Sequence, residues 1–73
     1  MADVTLHIDE DATRDEREDF RDYLLAMDGV MAVGYHEEKS HLMIIEYDPD
    51  TIKSLKFVEA ARERGLHAEL IGL

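Results

Sequence analysis

Val4, Leu6 and Ile8 alternate with Thr5, His7 and Asp9, which is the period of a half-buried strand. An acidic stretch from Asp9 to Asp15 ends it. Phe20, Leu24 and Met27 then recur at spacings of four and three among charged residues, a pattern that predicts an amphipathic helix. Thr13 and Glu16 have the spacing of a capping box and mark the helix start. Asp15, Glu16, Glu18 and Asp19 crowd the first turns, where the helix dipole favours negative charge. Asp28-Gly29 is the predicted close, because glycine takes a left-handed cap without a Cβ penalty. Val33 and Tyr35 next alternate with Gly34 and His36, Glu37 to Ser40 form a polar turn, and His41 to Tyr47 read as the returning strand of a hairpin. Asp48-Pro49-Asp50 breaks that strand. Ile52, Phe57, Ala60 and Ala61 predict a second helix from Ile52 to Arg64. Gly65 stops it, and Leu66, Ala68 and Leu70 alternate through a last strand.

The order is strand, helix, strand, strand, helix, strand. With right-handed crossovers in each strand-helix-strand unit, it predicts an α+β, ferredoxin-like βαββαβ sandwich. Strands one and three form the centre of a four-stranded antiparallel sheet, and both helices cover one face. No linker or repeat interrupts residues 1–73, which read as one domain. A domain of this size buries only about 60% of its unfolded surface, and no disulfide or obvious structural metal supplements its core.

Charge narrows the function classes. Eighteen acids against eight bases give a formal charge of -10, which argues against nucleic acid and anionic membranes, whose affinity comes from basic groups. Lysine-poor and acid-rich, with Lys39, Lys53 and Lys56 its only lysines, the chain fits a salt-adapted host. Met1-Ala2-Asp3 lacks the basic start of a signal peptide and no apolar run is long enough to span a bilayer, so a soluble cytoplasmic protein is expected.

Three segments carry a family resemblance: Asp28-Gly29-Val30 leading to Val33 and Tyr35, then Tyr47-Asp48-Pro49, then Ala60-Ala61 leading to Gly65-Leu66. Over its whole length the chain resembles the heavy-metal-associated domain of copper chaperones and P-type ATPase tails. That family carries a Gly-Met-Thr-Cys-x-x-Cys loop before its first helix. Counting back from the Gly29-Val30 pair puts the two cysteine positions at Thr13 and Glu16, and the glycine and methionine at Glu10 and Asp11. The resemblance thus implies the fold, while the metal motif is wholly replaced. Soft metals such as Cu(I) select thiolates and thioethers. With no cysteine anywhere, thiolate transfer is excluded and helix capping is the better reading of Thr13 and Glu16.

Asp9-x-Asp11-x-Thr13-x-Asp15 begins like a calcium loop, but Arg14 stands where its glycine belongs and Phe20 where its bidentate Glu belongs. A solvated acidic helix entrance accounts for the cluster. Alternation puts His7, His36 and His67 on the sheet face away from the helices, with His41 near the hairpin tip. His36, on the edge strand, lies about 10 Å from the first strand. His7 and His67, on neighbouring strands and near Glu69 or Glu46, are the candidate ligands for a divalent transition metal such as Zn²⁺, Ni²⁺ or Cu²⁺. The plainer alternative is that they are ordinary surface histidines. The same face carries Leu42 and Ile44, so the third strand is apolar on both sides, and Ala32, Gly34 and Ile71 join them in a small patch. With His36 at its rim, that patch is a candidate contact surface for a protein partner or a homodimer; scattered apolar residues are its plainer reading. No hydroxyl has an activating base and no phosphate-binding glycine loop occurs, so an enzyme is not expected. The sequence therefore favours a non-catalytic binding or adaptor module without a cofactor. The alternative is a metal-binding protein that uses histidine and carboxylate ligands.

Overall fold

β1 (Ala2–Ile8) and β3 (Leu42–Tyr47) pair antiparallel along their length, from Ala2 opposite Tyr47 to His7 opposite Leu42. The computed structural model describes residues 2–35, 37–39 and 41–71. Around that central pair run α1 (Arg14–Leu25), β2 (Val30–Tyr35), a 3-10 turn (Glu37–Lys39), α2 (Leu55–Glu63) and β4 (Ala68–Ile71). The sheet order is β2-β3-β1-β4 with every neighbouring pair antiparallel, and this is the ferredoxin-like arrangement that the order of elements predicts. Among the described residues no helix is long and apolar enough to cross a membrane.

Alternation on the two central strands decides which face is covered. Val4, Leu6 and Ile8 of β1 and Met43, Ile45 and Tyr47 of β3 are buried in one core with Val33, Phe20, Leu24, Phe57, Ala60 and Ala61. Phe57 meets Tyr47 edge to face, with ring centroids 5.2 Å apart, a favoured geometry for an aromatic pair. At the outer strand, the β2–β3 register shifts between Val30 and Ala32. The intervening Met31, 58% exposed, belongs to a bulge that interrupts the edge ladder.

Both helices are shorter than their apolar spacing suggests. α1 ends at Leu25, and Met27 lies beyond it, partly buried against the core. Gly29 therefore does not cap the helix; its φ of +95° serves the turn into β2. There its carbonyl accepts from the Asp48 N–H at 2.7 Å, and a Cβ would come within 2.8 Å of Ile52 Cγ2. α2 begins three residues after Ile52, because Asp48 holds the preceding chain in a turn. Its carboxylate accepts from the Asp50 N–H at 3.0 Å and the Thr51 hydroxyl at 2.9 Å, and its carbonyl from the Thr51 and Ile52 N–H groups, each at 3.0 Å. Ile52 is thus a core plug on a loop. The far end of α2 is as expected. Gly65, at φ +78°, donates to Arg62 O at 3.0 Å while Leu66 N–H reaches Ala61 O at 2.9 Å, the two bonds of a Schellman motif.

Substituting alanine at three glycines should separate these effects. Gly29→Ala meets both a left-handed backbone and an occupied space, so it should cost more than the roughly 1–2 kcal/mol of the left-handed conformation alone. Gly65→Ala meets only the backbone term of about 1–2 kcal/mol. Gly34→Ala, with nothing within 4 Å of the new Cβ, should lose nothing measurable. Urea midpoints in a different order would contradict the turn geometry.

Candidate functional site

The positions of the missing cysteines are occupied by hydrogen bonds. Thr13, extended at φ -69° and ψ 167°, accepts from the Glu16 N–H at 3.2 Å, while Glu16 Oε1 accepts from the Thr13 N–H at 3.0 Å. This is the expected capping box. It pulls the Glu16 carboxyl below its ordinary range, chiefly through the Thr13 backbone bond. Arg17 adds a feature that residue-by-residue reading missed. It is only 8% exposed, donates from Nη1 to the Ala12 carbonyl at 2.7 Å, and lies over the Tyr35 ring at 5.3 Å. A signal was available, since Arg17, Phe20 and Leu24 share one helix face at helical spacing. Tyr35 in turn donates to Glu18 at 2.8 Å, and Arg21 Nε to the Val33 carbonyl at 3.0 Å, so α1 is bolted to edge strand β2 by polar contacts. Two oxygen side chains committed to each other beside a guanidinium do not fit a soft cation.

Three histidines meet three consecutive acids at this end of the sheet. His7 Nδ1 lies 3.2 Å from Asp9 Oδ1, and His41 Nε2 lies 3.0 Å from Asp11 Oδ1. Glu10 accepts from the His67 N–H at 2.7 Å and has the His67 ring Nδ1 at 2.5 Å. His41 Nδ1 also faces the Ile8 carbonyl at 2.7 Å, and its ring stacks on His7 at a centroid distance of 5.8 Å.

The two expected ligands, His7 and His67, each face a different acid. β4 begins at Ala68, so His67 sits before the strand and outside its alternation, while His7 faces Glu69 in the register. His41 takes the neighbouring place because its carbonyl accepts from the Ile8 N–H at 2.8 Å. His36 lies outside the described residues. Among the described residues, no three histidine or acidic side chains converge on a point that a metal could occupy.

The open face is where alternation put it. Gly34, Ile44, Thr5 and Ile71 stand opposite one another in a row across all four strands. Ile44 is 44% and Ile71 40% exposed. Beside them Leu42 and Ile44 line a shallow hollow of about 250 Å³ with Thr5, Tyr35 and Lys39. The row on one side is acidic and the row on the other is mixed. Ala32, Glu46 and Asp3 form one, and Leu42, His7 and Glu69 form the other.

Thr13→Ala should lower stability by about 1 kcal/mol through loss of the cap, read as a shifted denaturant midpoint with an unchanged slope. No shift would mean that the box contributes nothing. The Glu10–His67 tether should be pH dependent. Their bond raises His67 above its ordinary 6.5 and lowers Glu10 below its ordinary 4.5. A raised histidine stabilises fully below 6.5 and fades as pH rises through its folded value; a lowered carboxyl stabilises above 4.5 and fades as pH falls through its own. The midpoint difference between wild type and Glu10→Gln should therefore peak between pH 4.5 and 6.5. A difference constant with pH would rule the tether out.

Sequence comparison matches the chain to no family model and to no curated protein. Solved structures match it closely in shape. A copper-binding domain from HMA7, a P-type ATPase, superposes with a TM-score of 0.88 at 15% identity, covering 99% of this chain and 96% of that one. Oxidized MerP from Ralstonia metallidurans CH34 gives 0.86 at 15% identity, with 97% of each chain covered. The CopZ metallochaperone gives 0.83 at 15% identity over 93% of this chain and 100% of its own. At such identities the likeness is one of fold. The chain has the fold of these metal-handling domains, and it has no cysteine at all.

Proposed function

We propose that residues 1–73 form a non-catalytic binding module of the cytoplasm that acts through its open sheet face. The carrying observation is the band of Leu42, Ile44 and Ile71, left uncovered on the side opposite the helices. A central strand that has only one face to bury needs no second row of large apolar residues, and such exposed patches mark contact surfaces. The solved neighbours support this reading, since a metallochaperone and a domain from a P-type ATPase are among them. In this chain the loop before the first helix is closed by its own capping box. The alternative, a divalent metal on His7 and His67, has less in its favour, because each ring is engaged with a different acid.

The test is association under conditions that suppress repulsion between copies carrying -10 each. At 1 M salt the screening length falls to about 3 Å, so the apolar face should drive weak self-association visible by sedimentation. Leu42→Lys with Ile44→Lys should abolish it and leave the folded domain intact. A wild type that stays monomeric at high salt and high concentration would count against an adhesive face. Unfolding of the double variant would mean that both residues belong to the core.

A further inference from the structure

We infer that the open face receives an amphipathic helix with one basic flank, laid across the strands along the Gly34–Ile44–Thr5–Ile71 row; this rests on the open-face reading above. Two independent features of the face point the same way.

The first is shape. The apolar row crosses four strands, three inter-strand spacings of about 4.8 Å, so it runs for about 14 Å. A helix rising 1.5 Å per residue covers that length in about nine residues, two and a half turns of a single apolar stripe. Gly34 contributes no side chain at one end, and the space above it is open. The hollow beside Leu42 and Ile44 gives one large apolar side chain a place to enter.

The second is charge. Asp3 stands directly opposite Glu46 in the β1–β3 register, and like charges directly opposed on a sheet are destabilising. Among the described residues neither carboxylate has an ion-pair partner. Glu69 borders the row on its other side, two residues before Ile71 and so about 7 Å along the strand. Among the described residues Lys39 is the one cation lining the hollow, at the hairpin end, on the same side of the row as Leu42, His7 and Glu69 and away from Asp3 and Glu46. A helix seated on the row would carry Lys or Arg on the flank that faces Asp3 and Glu46. A second copy of this chain would bring the same carboxylates and another -10, and an anionic membrane or nucleic acid would be repelled. The occupant is therefore a protein segment of opposite sign.

A short synthetic helix with a leucine stripe flanked on one side by lysines is the probe, with lysine-to-glutamine and lysine-to-glutamate versions beside it. On titration into the isotopically labelled domain, the lysine peptide should shift the amides of Thr5, Ile44, Glu46 and Ile71. Asp3→Asn with Glu46→Gln should weaken it by about tenfold, a change of about 1.4 kcal/mol. The control, Asp19→Asn with Asp28→Asn, removes as much charge from the helical side and should leave affinity nearly unchanged. The Asp3–Glu46 double variant should also be more stable than wild type without any peptide, because it relieves the repulsion.

Equal weakening by the two double variants would reduce the effect to net charge and overturn the inference. A glutamine peptide that bound as tightly with the same shifts would leave a docking face and remove its basic partner. Self-association at low salt that covers Ile44 would make a second copy the occupant, again against the inference. If no peptide perturbed the face and the chain stayed monomeric at high salt, the open-face reading itself would fall.

Discussion

The β1–β3 register carries most of what is particular to this molecule. It sets Val4 and Leu6 beside Ile45 and Met43 on the helix side and Thr5 and His7 beside Ile44 and Leu42 on the other. A slip by one residue would exchange the faces of β1, driving Thr5, His7 and Asp9 into the core. Burial of Leu6, Met43 and Ile45 to zero exposure makes that slip prohibitive. The same pairing fixes the less favourable neighbours. Asp3 meets Glu46 because Ala2 meets Tyr47, and His41 reaches His7 because Leu42 does.

Closure of the β1–α1 loop follows from that frame. The strand ends at Ile8, and the chain must turn through Asp9, Glu10 and Asp11 before Thr13 starts the helix. Such a run of carboxylates repels itself, and histidines from three separate segments each set a ring nitrogen against one of them. Arg17 anchors the last step at the Ala12 carbonyl from inside the helix. Its Nε nevertheless has no partner among the described residues, a cost offset by the stacking on Tyr35 and by the fixed loop. The loop that resembles a metal-binding segment in position is, in this chain, a self-satisfied polar knot.

Elements whose signal is local could be read from the sequence. The alternation of Val4, Leu6 and Ile8, the Thr13–Glu16 box and the Gly65 stop each depend on a few neighbouring residues, and the structure has all three. What depended on distant parts of the chain was harder to see. Gly29 read as a helix cap because a glycine after an apolar stripe usually is one; its actual constraint comes from Thr51 and Ile52, more than twenty residues away. Which acid the His67 ring meets turned on where β4 begins, two residues later than alternation from Leu66 implies. Leu42 and Ile44 could be placed on the open face because a strand's period is local. The Asp3–Glu46 opposition required a register that no single segment encodes.

An acidic chain of this size would be expected to spread its charges or compensate them, and most of the acids here are compensated. Asp15 and Glu16 sit at a helix start, Asp48 accepts bonds from its own turn, Glu18 and Glu63 accept from tyrosines, and Glu59 pairs with Lys56 at 3.4 Å. Local choices that agree with the global fold are the mark of a well-specified sequence, and departures from agreement tend to sit where function does. The open face departs twice, with large apolar side chains where polar ones would serve and opposed carboxylates where one cation would suffice. Either departure alone would be unremarked on a protein surface. Their coincidence on adjacent rows of one sheet face gives that face both a reason to be covered and a sign for what covers it.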